Sequence, residues 1–501
     1  MWFYFAVQGA QAGQKVLFNV VGYSKTKSLY RDGMAPVVCT SGRPHWERMP
    51  EGSVYFYRSP RHGRQYVLSF PFCFERANEV YYFAYCFPYT YSYLQRFLHS
   101  LDERQLPCYR RECLGRTVQQ RKLDLITISS PENLELDEAA QRQPAPRRPI
   151  AGLERKSLVF VTSRVHPGET PASFLMHGLL LFLTSEHPRA QALRQAVVVK
   201  AVPMLNPDGV FLGNYRCNSL GLDLNRQWDA PQPWAAPTIH AVRELAAAYN
   251  TDPSHPLALH LFVDVHAHST CMNCFVFANM PDDGMPKSME SVAAFPKVLS
   301  GHMVDLAQSG PKFCNDPAKL GTGRRALGDI LPGVHSYTLE LSFFSAAQGN
   351  VKGAAYSPQS YTDMGVRLGM ALHEYFSTHR TGAGTAVVPP RMPPQMPPQM
   401  PPQHQPAAPH PHPQPTQPQP QPQPSPSPSQ PSPSQPQSQP PPQPPPQPPL
   451  QPSRSGRGAP AAASSARRAN RPMLATDSVA TARAGPAPPA AARSASHRGG
   501  R

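Results

Sequence analysis

The sequence predicts an α/β protein: a mixed sheet flanked by helices, preceded by a small antiparallel β-sandwich and followed by a disordered tail. Three observations carry this prediction. Short aromatic and β-branched runs crowd residues 1–87, separated by polar or Gly/Pro turns. From 88 to 380, apolar runs of strand length alternate with helical patterns, which argues for an α/β sheet with its site at the strand ends. Residues 381–501 are mostly Pro, Gln, Ser and Ala. Such a composition cannot bury enough apolar surface to offset its ordering entropy.

The elements follow in order. Trp2–Val7, Lys15–Val21, Ser53–Tyr57, Tyr66–Phe72 and Glu79–Tyr85 read as the strands of the sandwich. Tyr93, Leu94, Phe97 and Leu98 fall on one helical face, with core packing the simplest role for the aromatics. Leu123–Ile128 is a strand, and the polar, Pro-rich stretch 129–155 reads as a surface loop. Leu158–Val161 reads as a buried strand. Helices follow at about 171–185 and 188–195, then the strand Val197–Met204. A long loop, 206–236, opens on Asn206-Pro-Asp-Gly, which is first of all a turn. A helix at 238–249, strands at 258–265 and 274–278, a helix near 289–308, a strand through Glu340 and a helix at 359–377 complete the pattern.

Charge divides along the chain. It has 501 residues, 64 prolines and a formal charge of +16. The tail holds ten arginines, no lysine and one acidic residue, so +7 remains for the folded part. A basic folded part suits an acidic partner or is simply a soluble surface. The nine cysteines form no regular framework and read as free thiols in a reducing compartment; Cys271-Met-Asn-Cys274 reads as packing. No apolar run reaches membrane-spanning length. The amino end lacks the basic n-region of a signal peptide, so neither secretion nor membrane insertion is expected. The tail repeat Met392-Pro-Pro-Gln suits polyproline II and proline-binding modules, or no dedicated partner at all.

The chemistry starts at the end of the 158–161 strand. His166 and Glu169 flank Pro167-Gly168 on a tight loop. An imidazole and a carboxylate so placed can converge on zinc, leaving one protein ligand to find. The candidate lies at the end of another apolar run, Leu261-Phe-Val-Asp264-Val-His266-Ala-His268, where His266 and His268 both compete. Asp264 is two residues before His266 on an alternating strand and could steady its ring.

The ordered set from His166-Pro-Gly-Glu169 through Asn206-Pro-Asp-Gly209, Asn214-Tyr-Arg216-Cys, Asp223-Leu-Asn225-Arg226 and Thr338-Leu-Glu340 resembles the zinc carboxypeptidase family, and within it the cytosolic branch of protein deglutamylases. The resemblance covers about residues 1–378 and implies a mixed eight-stranded sheet and one zinc ion per subunit. It prefers His266 over His268 as the third ligand. It implies that Glu340 is the general base, that Arg216 supports the developing oxyanion, and that Asn225 and Arg226 clamp a terminal carboxylate. Gly321-Thr-Gly-Arg324-Arg325 is similar to the branch's segment for an acidic side chain, with Arg324 chosen over Arg325 as the specificity residue. The tyrosine that secreted relatives use near the scissile bond has no clear counterpart. The chain starts inside the first strand, where members of the branch carry more sequence, a shortened start expected to cost edge pairing.

The activity so implied is removal of glutamates from protein carboxyl ends or polyglutamate side chains. Polyglutamylated proteins, tubulin and microtubules are the implied partners; no membrane or nucleic-acid partner is expected. The implied location is the cytosol, cytoskeleton-associated, with centriole or basal body included. Two rivals are a zinc amidohydrolase acting on N-acyl amino acids, which the amino-terminal sandwich disfavours, and a non-catalytic scaffold binding microtubules or proline readers, which the intact ligand set disfavours.

Overall fold

The computed structural model describes residues 2–23, 25–142, 155–252, 255–306, 310–331, 333–347 and 353–379. The expected disordered tail, with its proline-module sites, lies outside the described residues.

The chain opens with β1 (Tyr4–Val7), β2 (Lys15–Tyr23), β3 (Val37–Thr40), β4 (Glu47–Arg48), β5 (Tyr55–Arg58), β6 (Tyr66–Cys73) and β7 (Tyr81–Ala84). They pair antiparallel in two sheets, β1-β7-β3-β4 and β2-β6-β5. Alternation puts Phe18 and Phe72 of one sheet against Phe83 of the other, with ring centroids 5.0 and 4.9 Å apart.

Next come α1 (Tyr91–Asp102), β8 (Tyr109–Arg116), β9 (Lys122–Ile128), α2 (Pro131–Arg142), β10 (Lys156–Ser163), α3 (Thr170–Leu183), α4 (Pro188–Ala196), β11 (Val197–Val202), α5 (Pro207–Leu212) and α6 (Pro237–Thr251). Then follow β12 (Leu257–His268), β13 (Phe275–Ala278), α7 (Pro286–His302), β14 (Lys312–Phe313), α8 (Gly323–Ile330), β15 (His335–Ser342) and α9 (Pro358–Thr378). Among the described residues, eight strands form one mixed sheet, β14-β13-β15-β12-β10-β11-β9-β8. Its centre, β11-β10-β12-β15, is parallel and reads as near-continuous apolar sequence, as a sheet covered on both faces must.

Several elements differ from the sequence reading. Residues 131–142 are helix α2 rather than loop. Of its three buried residues only Leu134 is apolar; the other two find distant partners, Asn133 Nδ2 donating to Arg194 O at 3.1 Å and Asp137 pairing with the fully buried Lys200 at 2.7 Å. A periodic apolar face is therefore missing from the sequence. The Asn206-Pro-Asp-Gly turn is the start of α5, with Asn206 Oδ1 accepting from Gly209 N at 3.0 Å and Pro207 in the first turn. Arg324 and Arg325 sit on α8, and the helix expected at 289–308 ends at His302. Strand β8 was not anticipated, because an edge strand tolerates a polar run such as Tyr-Arg-Arg-Glu.

Candidate metal centre and cleft

The parallel strands end together, and their last residues form the site. The chain leaves β10 through Ser163–Glu169 and enters α3 at Thr170. In this loop Arg164 adopts φ +59°, a conformation non-glycine residues rarely hold, and is 2 % exposed. Its side chain explains the tolerance: Nε donates to Pro167 O at 2.8 Å and Nη1 to Ser173 Oγ at 2.8 Å. Burial, offset by Tyr89 and Glu169, pulls its guanidinium down to about 9. Gly168 N donates to Tyr215 O at 2.9 Å, and a Cβ on Gly168 would lie 2.8 Å from that same oxygen. The loop between His166 and Glu169 is thus fixed from both sides.

His166, Glu169 and His266 come together, their ligand atoms all within 4.8 Å of one another. Glu169 Oε1 lies 2.8 Å from His166 Nδ1 and its Oε2 3.0 Å from His266 Nδ1. The outer ring nitrogens face other carboxylates: His166 Nε2 is 3.2 Å from Asp223 Oδ1, and His266 Nε2 is 2.7 Å from Asp264 Oδ2. Asp264 in turn accepts from Thr162 Oγ1 at 2.8 Å, across the register that pairs β10 with β12. Two imidazoles and one carboxylate, buried and braced by outer acids, are a donor set that could hold a metal and suits zinc. Burial opposes charging of His266, but Asp264 and Glu169 outweigh it and raise its pKa well above the usual value. Asp223 is held below the usual carboxylate range: burial opposes its charge, and His166 and Arg216 outweigh burial.

Glu340 is the register partner of His266 on β15. Burial, with His266 acting the other way, pushes its carboxyl up to about 7. It opens on a cleft of about 200 Å³ shared with the three residues above. Arg216, Asn225, Arg226 and Arg324 line the same cleft, so every site residue named from sequence meets there. Arg216 Nε donates to Asp223 Oδ2 at 2.8 Å. Asn225 Oδ1 accepts from Gly323 N at 3.1 Å, tying the 225–226 segment to the first turn of α8. Gly321 permits that approach, since a Cβ there would stand 2.5 Å from Arg226 O.

Arg324 is 3 % exposed and bonds to Asn279 Oδ1. Burial pulls its guanidinium down to about 10, and no carboxylate lies within 4.0 Å of it among the described residues. Arg325 instead bonds Asn315 Oδ1 at 2.9 Å. His268 lines the cleft too, but its ring packs on Phe275, 4.8 Å between centroids, outside the three-residue group. Burial pushes its pKa down to about 4.

Sequence reasoning missed Asp223, Arg164, Lys25 and Lys319. Asp223 precedes Asn225 by two residues and could have been sought as an outer acid. The two lysines line the cleft from distant segments and carry no local signal.

A sequence profile described as zinc carboxypeptidase matches residues 94–276. The chain is 45% identical over 394 residues to cytosolic carboxypeptidase 6 of Homo sapiens, covering 78% of this chain and 74% of that protein. It is 42% identical to cytosolic carboxypeptidase 6 of Caenorhabditis elegans, over 69% of this chain and 71% of that one. The fold is similar to a crystal structure of a metallo-carboxypeptidase from Burkholderia cenocepacia, with TM-score 0.60 and 24% identity, covering 76% of this chain and 90% of that one.

Proposed function

Because the chain belongs to the zinc carboxypeptidase family, in its cytosolic branch, we propose that it removes glutamate residues from protein carboxyl ends or polyglutamate side chains. The observation that carries the glutamate reading is Arg324, a buried guanidinium on the cleft wall with no carboxylate partner among the described residues. A buried charge is costly unless paired, and a substrate side-chain carboxylate would complete it. Lys25, Arg226 and Lys319 add cationic lining to the same cleft.

His166, Glu169 and His266 would hold one zinc ion per chain, and zinc bound there would supply an acidified water and polarise the scissile carbonyl. The chain's own residues do the rest. Glu340, with a pKa brought near neutrality by burial, takes a proton from the attacking water at its carboxylate and returns it to the leaving amine. Arg216, steadied by Asp223, presents its remaining N–H groups to the developing oxyanion. Arg226 and Asn225 hold the terminal carboxylate, for which a guanidinium fork is better suited than an ammonium. Substrates of this chemistry include the glutamylated carboxyl tails of tubulin, and we place the enzyme in the cytosol beside the cytoskeleton.

The test is mass spectrometry of a synthetic polyglutamylated tubulin-tail peptide incubated with the full chain. Stepwise loss of glutamate, abolished by chelator and by Glu340→Gln, supports the reading. An intact peptide, with N-acyl amino acids cleaved instead, rejects it in favour of an amidohydrolase.

A further inference from the structure

The sheet β2-β6-β5 ends on β5, so one row of β5 backbone N–H and C=O groups has no neighbouring strand among the described residues. A shallow depression runs along that edge, lined by Tyr30, Arg31, Val54, Tyr55, Phe56 and Tyr57. Tyr55 and Tyr57 are 59 % and 41 % exposed. Arg31 lines it, Arg58 ends β5, and Arg61 and Arg64 follow in the turn to β6; all four are exposed, and among the described residues none has a carboxylate within 4.0 Å. Arg58 Nε donates to Arg64 O at 2.8 Å, which holds the hairpin that presents them. The Arg31 guanidinium lies 5.5 and 5.4 Å over the Phe56 and Tyr66 rings. Two acids stand near, Asp32 beside Arg31 and Glu51 with its carboxylate against Gly33, so the four arginines outnumber them.

A short segment of chain links this surface to the cleft. Lys25 lines the cleft, Leu29 N donates at 3.3 Å to the carbonyl of Ser269, which also lines it, and Arg31 lines the depression. Even fully extended, the segment from Lys25 to Arg31 spans no more than about 20 Å.

We propose that the open edge of β5 and the arginines around it bind an acidic, extended polypeptide, the body of the same molecule whose glutamate end enters the cleft. The proposal rests on the glutamate reading given above. An extended chain can add to an open strand edge through its main chain, while arginines pair with its carboxylates. Tyrosines beside them supply rigid contact area at low entropic cost.

The experiment uses the full chain and the triple variant Arg58→Glu, Arg61→Glu, Arg64→Glu, three exposed positions outside the cleft. Fluorescence anisotropy is measured with a long polyglutamate whose carboxyl end is amidated, so that no free end enters the cleft. Glutamate release is measured on a short free-ended peptide. The expected result is a loss of about tenfold or more in affinity for the blocked polyglutamate, with release from the short peptide unchanged. No binding of blocked polyglutamate, or equal binding by the triple variant, overturns the proposal and assigns the arginines to guarding the strand edge. A single-stranded oligonucleotide of matched charge that binds more tightly than polyglutamate also overturns it. If the short peptide is not cleaved while blocked polyglutamate binds in an arginine-dependent way, the cleft reading fails and this surface stands.

Discussion

At the residue scale, Glu340 is a carboxyl kept at a cost. Burial raises it from 4.5 to about 7, while His266 and His166 oppose the rise and Glu169 and Asp264 add to it. The folded carboxyl therefore holds its proton more tightly than the unfolded one, and metal-free protein loses stability as pH climbs from about 4.5 to 7, a loss on the order of 3 kcal/mol that persists above it. Glu340→Gln should abolish turnover yet raise the melting temperature of the metal-free protein at pH 8, with the gap closing near pH 5. Arg324 makes the converse case, a buried cation bonded to Asn279 with no carboxylate beside it among the described residues. Arg324→Gln should lower kcat/KM for a glutamate-ended peptide roughly a hundredfold and leave a glutamine-ended peptide nearly unchanged, because a buried polar group penalises whatever leaves it unpaired. His166 and His266 were legible because each follows an apolar run, whereas Glu340, Arg216, Asn225, Arg226 and Arg324 were legible only through the motifs that carry the family resemblance. Arg164 was not: its role depends on a positive φ and on the Pro167 carbonyl and Ser173 hydroxyl that its side chain meets only once the loop is folded. Arg164→Ala should weaken zinc binding roughly tenfold, measured by chelator competition, since supports behind a metal ligand commonly matter on that scale.

At the scale of elements, the site is a consequence of register. Parallel pairing sets Thr162 beside Asp264 and His266 beside Glu340, so one slip of β15 would turn the base to the other face. The sheet can hold that register because α3 and α9 press closely together over one face. A Cβ on Gly365 would collide with the Leu175 carbonyl, and one on Gly178 with the Thr362 carbonyl. Gly365→Ala should cost about 2–3 kcal/mol or more in urea unfolding, although alanine is the better helix former, because backbone on the opposing helix cannot move aside. Apolar period and strand length revealed the central strands. Helix α2 escaped because a single apolar residue, Leu134, is buried on it, its other buried contacts being Asn133 and Asp137 reaching the Arg194 carbonyl and Lys200. Helix α8 carries no helical signal at its start because Gly321, just before it, and Gly323, its first residue, serve close packing on Arg226 and Trp228.

At the scale of the molecule, one continuous core joins the amino-terminal sheets to the helices behind the site, running from Phe70 and Phe83 through Tyr85 to Phe343 and Tyr361. Tyr85 meets Phe343 edge-on at 5.5 Å, and Leu29 N bonds the carbonyl just past His268. The amino-terminal sheets therefore brace the end of β12 that carries His266. Their aromatic composition announced them in the sequence, whereas this bracing rests on contacts more than two hundred residues apart. The account turns on three residues from two strand ends holding one ion, and metal analysis of the purified full chain tests it most directly. The prediction is close to one zinc per chain in the native protein and almost none in a folded His266→Ala variant. Zinc retained at that ratio after His266 is removed, or a native protein that cleaves glutamate ends with no bound metal, would contradict it.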